Sequence, residues 1–353
     1  MRLIAAATIL AAMAAGAVAD EVPVDGGKKP WRVFILSGQS NMGSKASIEH
    51  LEMLLADPAT AGRYGHLRKD GNWMVRDDVL LYNRGEKMPL TVGCGQAGRF
   101  GPEVGFGVTV GDALEEPVLL IRAAWGGRDL VCDFRPPSSG PGDFPQEFRD
   151  ALDKRRKVGP GQAVGLHYRM MVASIRDTLT SLDAHFPQYK GEGFEISGFA
   201  WLHGWNDHLN AKAIEEYSTN LANLLRDLRK DLDAPDMPMV IGEFGQAGTE
   251  ENMNPAIKTK HLKFRGKQKA VAEMPEFKGR VVYVPTGHFM VEDGKSFDGG
   301  YHYNGRADTV YSIGEAMGKA MLPLLSKAPA DRSARHKAAC EEAMKRYGEV
   351  RMY

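Results

Sequence analysis

The chain is 353 residues long, and its 45 Lys and Arg residues are balanced by 45 Asp and Glu residues. A formal net charge of zero argues against nucleic acid or an anionic membrane as its partner. Hydrophobic residues make up 43% of the sequence, which excludes a disordered chain and is enough for one large core.

Residues 1–19 have the pattern of a secretory signal. Arg2 supplies the charged start, residues 3–15 are apolar, and Ala17-Val18-Ala19 forms a small-x-small cleavage site. The apolar run is too short to span a bilayer, and no later segment is long enough to be a membrane span. The sequence therefore predicts a secreted or periplasmic protein whose mature chain begins near Asp20.

Strand and helix patterns alternate along the rest of the chain. Short apolar runs predict strands at 31–36, 117–123, 196–202, 239–242 and 280–284. Apolar residues at helical spacing predict helices at 46–55, 104–114, 164–182, 211–232 and 309–325. This alternation is typical of an α/β protein with a parallel sheet covered on both faces.

Three segments interrupt or extend this pattern. Residues 56–100 are interpreted as an insertion, with a hairpin whose turn is Arg76-Asp77-Asp78. Residues 131–161 are rich in Pro and Gly and are interpreted as a long loop with a basic helix end at 154–157. The charged residues 327–353 predict a helical tail on the surface of a domain spanning 31–326.

The cysteines are few and odd in number. Cys94, Cys132 and Cys340 do not form a disulfide scaffold, but an oxidising compartment permits one bridge. The pair that we favour is Cys94–Cys132.

The first predicted strand runs directly into the polar turn Ser37-Gly38-Gln39-Ser40-Asn41. A serine at the carboxyl end of a parallel strand lies where open α/β sheets bind ligands. The alternative is that Ser40 only caps the helix that follows.

Four blocks resemble those of the SGNH hydrolases, in the branch of sialate O-acetylesterases and acetylxylan-esterase-like proteins. In chain order, the four blocks comprise Gly38-Gln39-Ser40-Asn41-Met42, then Gly101-Pro102-Glu103 with Ala123-Ala124-Trp125-Gly126-Gly127, then Gly204-Trp205-Asn206-Asp207, and last Asp298-Gly299-Gly300-Tyr301-His302. The resemblance spans roughly residues 31–325. It implies a flavodoxin-like three-layer α/β/α fold, with the five strands above in the order 2-1-3-4-5.

The resemblance also implies a serine esterase that needs no cofactor and no metal. Ser40 would be the nucleophile, His302 its base, and Asp298 the acid that orients the histidine. Asp293 and Glu292 remain alternatives for that acid, because Asp298 lies four residues before His302 where the family pattern has three.

Three groups are expected to stabilise the oxyanion. They are the backbone N–H groups of Ser40 and of Gly127 or Gly126, with the side-chain amide of Asn206. Asp207 is expected to have a structural role.

The expected partner is an acetylated carbohydrate. The expected substrate-binding residues lie next to the motif residues on loops: Gln39, Glu103, Trp125, His203, Trp205 and Tyr301. His203 and Trp205 stand where this branch of the family usually has Gln and Glu, and this leaves the preferred sugar open.

The sequence also suggests two other functions. His203, Asp207 and His208 are close in sequence, but their spacing fits no zinc motif. A carbohydrate-binding protein without catalysis would explain the altered third block, yet binding alone needs neither Ser40 nor His302. The sequence therefore favours an exported serine esterase that removes O-acetyl groups from a carbohydrate.

Overall fold

The computed structural model describes residues 29–348 and residue 350. The predicted signal segment 1–19 lies outside the described residues. Within residues 29–348, no helix is long and apolar enough to cross a membrane.

The strands and helices alternate as the sequence predicts, with additional short elements. The strands are β1 (Trp31–Gly38), β2 (Ala46–Ser47), β3 (Arg68–Lys69), β4 (Asn72–Trp73), β5 (Val75–Asn83), β6 (Glu86–Thr91), β7 (Arg99–Phe100), β8 (Val118–Ala124), β9 (Phe194–Leu202), β10 (Met239–Gly242) and β11 (Val281–Val284). The helices are α1 (Ile48–Ala56), α2 (Pro58–Tyr64), α3 (Pro102–Ala113), α4 (Gln146–Arg156), α5 (Leu166–Thr180), α6 (Leu182–His185), α7 (Trp205–His208), α8 (Ala211–Asp231), α9 (Pro255–Ala272), α10 (Ala307–Met321) and α11 (Ser333–Tyr347).

The central sheet has the strand order β11-β10-β9-β1-β8-β5-β6. Neighbouring strands are parallel except for the antiparallel pair β5 and β6. The five strands predicted from the sequence therefore take the expected order 2-1-3-4-5. Because parallel strands end at the same edge, the loops after β1, β8 and β9 converge there.

The interpretation of residues 56–100 was wrong in one respect. Arg76-Asp77-Asp78 is not a turn but lies within β5, which joins the central sheet beside β8. The turn comes later, at Arg84-Gly85, where both residues have positive φ angles of 53° and 93°. Two residues with positive φ angles suit the turn of a tight hairpin, whereas Asp77 and Asp78 lie along the strand, where Asp77 is exposed and Asp78 is partly buried.

Hydrophobic residues pack on both faces of the sheet. One cluster combines β1 and β9 side chains with α5 and α8, including the predicted stripe Met171, Ile175, Leu179 and Leu182. The other combines the opposite strand faces with α3 and α10. The C-terminal tail forms α11 and contributes Cys340 and Ala343 to the first cluster, so one side of this charged helix is part of the core.

The predicted disulfide is wrong. Cys94, Cys132 and Cys340 are all free and buried. Cys94 packs with the α3 and α10 side of the sheet, whereas Cys132 belongs to a separate cluster with Leu152 and Ala163. Burial raises the pKa of Cys94 to about 12, which keeps this thiol protonated.

Helices α3 and α10 pack together through glycines. A Cβ on Gly105 would collide with the carbonyl oxygen of Tyr311, and a Cβ on Gly314 would lie 2.8 Å from the carbonyl carbon of Pro102. The small residues of the predicted helix at 104–114 thus allow two backbones to approach closely.

Replacing Gly314 with alanine is expected to destabilise the protein by about 1–3 kcal/mol, because the added methyl group forces α3 and α10 apart. Urea unfolding would measure this change. Gly266→Ala is the matched control, since Gly266 lies in α9 and a Cβ there has nothing within 4 Å. Equal unfolding midpoints for the two variants would contradict the close packing.

Candidate active site

Ser40 begins a short 3₁₀ turn immediately after β1 and is partly exposed. Gly38 makes the turn possible, because its φ of 146° suits glycine and a Cβ there would collide with Leu202 of β9. The next side chain, Gln39, is buried and accepts a hydrogen bond from the backbone N–H of Gly204 at 3.0 Å. Gln39, expected to contact substrate, thus holds the loop after β9 against the loop of Ser40.

A buried polar network supports the loop of Ser40 from below. Arg122 of β8 pairs with Glu103 at 2.7 Å and donates to the hydroxyl of Ser44 at 2.9 Å. Glu103 also accepts from the backbone N–H of Gly101 at 2.8 Å. Glu103 was expected to contact substrate, but its side chain is 0% exposed. The structure therefore places it beneath the site, where it stabilises the loop of Ser40 and does not contact substrate.

His302 and Asp298 form a hydrogen-bonded pair. The Nδ1 of His302 bonds to Oδ2 of Asp298, which leaves Nε2 as the ring nitrogen that a general base would use. His302, Tyr303 and Asn304 all have positive φ angles, between 51° and 59°. Backbone strain of this kind is often found at functional sites, where it fixes the direction of a side chain. The buried Tyr303 holds this segment in place, because its hydroxyl accepts a hydrogen bond from the backbone N–H of Gly245 at 3.1 Å.

The alternative acids lie elsewhere. Asp293 pairs with Arg306 at 2.7 Å and accepts from the backbone N–H of Lys295 at 3.0 Å. Glu292 is exposed. Among the described residues, Asp298 is the carboxylate that contacts the His302 ring.

Arg99 connects the His302–Asp298 pair to the loop of Ser40. Its guanidinium lies 3.0 Å from Oδ1 of Asp298 and donates to the carbonyl oxygen of Lys45 at 2.7 Å. Arg99 carries no motif in the sequence, and its place two residues before Gly101 is the one signal that could have indicated it. Within residues 29–348, no hydrogen bond joins Ser40 and His302; such bonds are often long before substrate binds.

Asn206 and the glycines after β8 lie at the same sheet edge. Asn206 is in α7, directly after β9, and its Oδ1 is buried without a hydrogen-bond partner among the described residues. A Cβ on Gly126 would lie 3.5 Å from Cβ of Ser40, which places this loop beside the serine. Gly126 and Gly127 are both exposed.

Asp207 has the structural role that was expected. Its carboxylate accepts hydrogen bonds from the backbone N–H groups of Leu130 and Val131, at 2.9 and 3.0 Å. The third block is thereby attached to the loop that follows β8.

His203 is a core residue. Its Nδ1 lies 3.1 Å from the hydroxyl of Tyr217, its Nε2 lies 3.0 Å from the carbonyl oxygen of Arg128, and its ring stacks on Trp201. Burial lowers the pKa of His203 to about 4, so the imidazole is neutral. The structure therefore places His203 away from the substrate-binding role that was expected.

The residues of the alternative zinc site are also engaged elsewhere. Both ring nitrogens of His203 form hydrogen bonds, and the carboxylate of Asp207 accepts from backbone N–H groups. Nδ1 of His208 bonds to the carbonyl oxygen of Trp205 at 2.5 Å. These contacts explain the three side chains as parts of the fold.

The expected aromatic residues differ in exposure. Tyr301 is 57% exposed and lies edge-to-face with the partly buried Trp205, at 6.2 Å between ring centroids. Trp125 is 6% exposed and packs edge-to-face on His167. Trp205 and Tyr301 thus offer an apolar surface beside Asn206 and His302, as sugar rings require.

Burial lowers the pKa of His302 from its usual 6.5, and the positive charges of Lys45 and Arg99 lower it further. We therefore expect kcat/KM for ester hydrolysis to stay at its high-pH value until the pH falls below 6.5. If the neutral imidazole of His302 acts as the general base, kcat/KM should fall only when pH drops below this lowered pKa. Arg99→Met removes a nearby positive charge and should move the acid limb of the kcat/KM profile to higher pH. Arg99→Lys is the control that keeps the charge. An unchanged limb in Arg99→Met would contradict this account.

The residue types of this site are those that a serine hydrolase needs. They are a serine after β1, a His–Asp pair, and backbone N–H and side-chain amide groups at one edge of a parallel sheet. A family model described as carbohydrate esterase, sialic acid-specific acetylesterase, matches residues 30–278. That range is more than half of the chain, and the chain belongs to this family. It is therefore a carboxylic ester hydrolase of the carbohydrate esterase class.

Solved structures that are similar to this chain have low sequence identity to it. A protein from Arabidopsis thaliana is 17% identical with a TM-score of 0.50, covering 83% of this chain and 98% of that chain. NanS is 11% identical with a TM-score of 0.45, covering 90% of this chain and 98% of its own. A carbohydrate acetylesterase from Xanthomonas citri is 12% identical with a TM-score of 0.47, covering 82% and 57%. A comparison with curated proteins found no match.

Proposed function

We propose that this protein is an exported serine esterase that removes O-acetyl groups from a carbohydrate through an acyl-enzyme intermediate. The observation that carries the proposal is the His302–Asp298 pair, which Arg99 holds against the loop of Ser40. A serine hydroxyl is a weak nucleophile unless a base accepts its proton, and this arrangement supplies an oriented base.

The first half-reaction transfers the acyl group to the enzyme. His302 Nε2 takes the proton of Ser40 as Oγ attacks the carbonyl carbon, and Asp298 stabilises the imidazolium. The N–H groups of Ser40 and Gly127 (or Gly126), with the amide of Asn206, bind the oxyanion. When the tetrahedral intermediate collapses, the imidazolium gives its proton to the departing sugar oxygen and acetyl-Ser40 remains.

The second half-reaction releases acetate. His302 removes a proton from water, which attacks acetyl-Ser40, and the proton returns to Oγ of the serine as the carbon–oxygen bond breaks. Trp205 and Tyr301 would hold the sugar beside this centre. Sialate, xylan and other acetylated glycans all remain candidate substrates.

The rival function is carbohydrate binding without catalysis. His203 and Trp205 motivate it, because they replace residues usual in the family. The burial of His203 weakens it, since this change alters the core and not the cleft.

Acetate release from p-nitrophenyl acetate and from a panel of acetylated glycans tests the proposal. We expect turnover on the aryl ester and on at least one glycan, unaffected by a chelator. Wild-type protein that binds glycans without releasing acetate would favour the rival function. Loss of activity on chelation, restored by a metal ion, would overturn the mechanism.

Export is tested by expressing the full chain in bacteria. We expect the exported protein to begin near Asp20, and N-terminal sequencing would show it. An intact residue 1 in the active protein would contradict cleavage.

A further inference from the structure

A large cavity opens beside the loop that carries the oxyanion glycines. Its volume is about 1220 Å³. Trp125 and Arg128, which flank those glycines in the sequence, line one part of it, and Tyr347 at the end of α11 lines another. Pockets for small ligands usually hold about 300–1,000 Å³. The cavity therefore has room for more than one sugar ring.

The charge of this cavity has one sign. Eight arginines and Lys157 line it, and no Asp or Glu does so among the described residues. The whole chain, by contrast, has 45 residues of each sign. The positive charge comes from separate elements, including Arg128 after β8, Arg155 in α4 and Arg169 in α5.

Some of these charges are neutralised within the fold. Arg135, Arg156 and Arg346 each pair with a carboxylate that does not line the cavity, at 2.9, 2.6 and 2.5 Å. These three side chains have a structural explanation and are not needed for ligand binding.

Other charges have no such counterpart. In the part of the chain that the structure describes, Arg149, Arg155, Lys157 and Arg169 form no ion pair; Arg149 and Arg169 donate to backbone carbonyl oxygens instead. Burial, with repulsion from Arg156, lowers the pKa of Arg128. The cavity thus keeps an excess of positive charge, which an anion would relieve.

The end of α4 offers a simpler explanation for part of this charge. Cations in the last turn of a helix interact favourably with its dipole, and Lys154, Arg155 and Arg156 lie there. That effect does not explain Arg128 or Arg169, which lie outside α4 and line the same cavity.

We propose that this cavity binds the anionic groups of a polyanionic polysaccharide while an acetyl group of the same chain reaches Ser40. The inference rests on the proposed esterase function. Cations spread over several elements match repeated carboxylates along a polymer better than the single charge of one sugar acid. Nucleic acid fits less well, because two of the three Trp and Tyr side chains that line the cavity, Trp125 and Tyr168, are buried, and Tyr347 alone is partly exposed for base stacking among the described residues.

The test compares two charge reversals on neighbouring exposed residues of α4. Arg155 lines the cavity, whereas Lys154 does not, so Arg155→Glu is the probe and Lys154→Glu the matched control. Binding of polygalacturonate, galacturonic acid, neutral xylan and single-stranded DNA is measured by calorimetry. Activity is measured on acetylated polygalacturonate and on p-nitrophenyl acetate.

We expect Arg155→Glu to weaken polygalacturonate binding about three- to tenfold and to raise KM on the acetylated polymer by a similar factor. Lys154→Glu should change neither, and both variants should keep wild-type kcat/KM on p-nitrophenyl acetate. Three results would overturn the inference. The two variants could lose polygalacturonate binding equally, xylan or galacturonic acid could bind as tightly as the polymer, or DNA could bind with the same dependence on Arg155. If wild-type protein does not turn over p-nitrophenyl acetate, that result would instead contradict the esterase proposal on which this inference rests.

Discussion

Replacing Ser40 with alanine is expected to lower kcat on p-nitrophenyl acetate by about 10⁴- to 10⁶-fold. The proposed mechanism makes a covalent bond through this hydroxyl, which alanine lacks. What remains would come from the oxyanion donors and from substrate binding. Steady-state acetate release at high enzyme concentration would measure the residual rate.

The Ser40→Ala variant should remain folded. Ser40 is partly exposed, and the contacts that fix its loop are made by Gly38, Gln39 and the backbone. Its thermal unfolding should therefore match that of wild type, and its affinity for a glycan substrate should persist. A folded variant that kept most of its turnover would show that Ser40 is not the nucleophile.

Asp298→Asn is the second large effect and is expected to reduce kcat by about 10⁴-fold. The carboxylate bonds to Nδ1 of His302, and in the proposed mechanism it fixes the tautomer of the ring and balances the charge of the imidazolium. An asparagine can present its N–H to Nδ1 and so favour the wrong tautomer. The pH profile and kcat of the variant on p-nitrophenyl acetate provide the measurement.

Asp293→Asn is the matched control, because it removes the same charge from the same loop. Arg306, its partner, keeps a second carboxylate in Asp308 at 2.7 Å, so the loop should hold its shape. We expect turnover close to wild type. The reverse outcome, with Asp293→Asn inactive and Asp298→Asn active, would mean that another acid orients the histidine in solution.

The sheet and the site loops could be predicted from the sequence because their signals are local. Continuous apolar runs mark β1, β8 and β9, which are buried on both faces. Each run ends at one of the motif blocks, so the convergence of the blocks follows from the parallel order.

Other features could not be predicted because they depend on contacts between distant segments. Helix α9 buries His261, Phe264, Arg265 and Gln268 on one side, a mixture that shows little apolar periodicity. The burial of Glu103 depends on Arg122, 19 residues later in the numbering and adjacent only in the fold.

Arg99 illustrates the same difficulty at the site. Its contact with Asp298 joins residues 199 positions apart, and no motif marks it. The side-chain amide of Asn41, the residue after the serine, likewise donates to Oε1 of Gln246 at 2.9 Å, 205 positions later in the chain.

The most direct test of the central claim is to trap the acyl-enzyme. Wild-type protein mixed with p-nitrophenyl acetate is quenched in acid within the first turnover, digested, and mapped by mass spectrometry. The account predicts an acetyl group on the peptide that contains Ser40, together with a burst of p-nitrophenol. Turnover at the normal rate without acetyl-Ser40, or with the acetyl group on another residue, would contradict it.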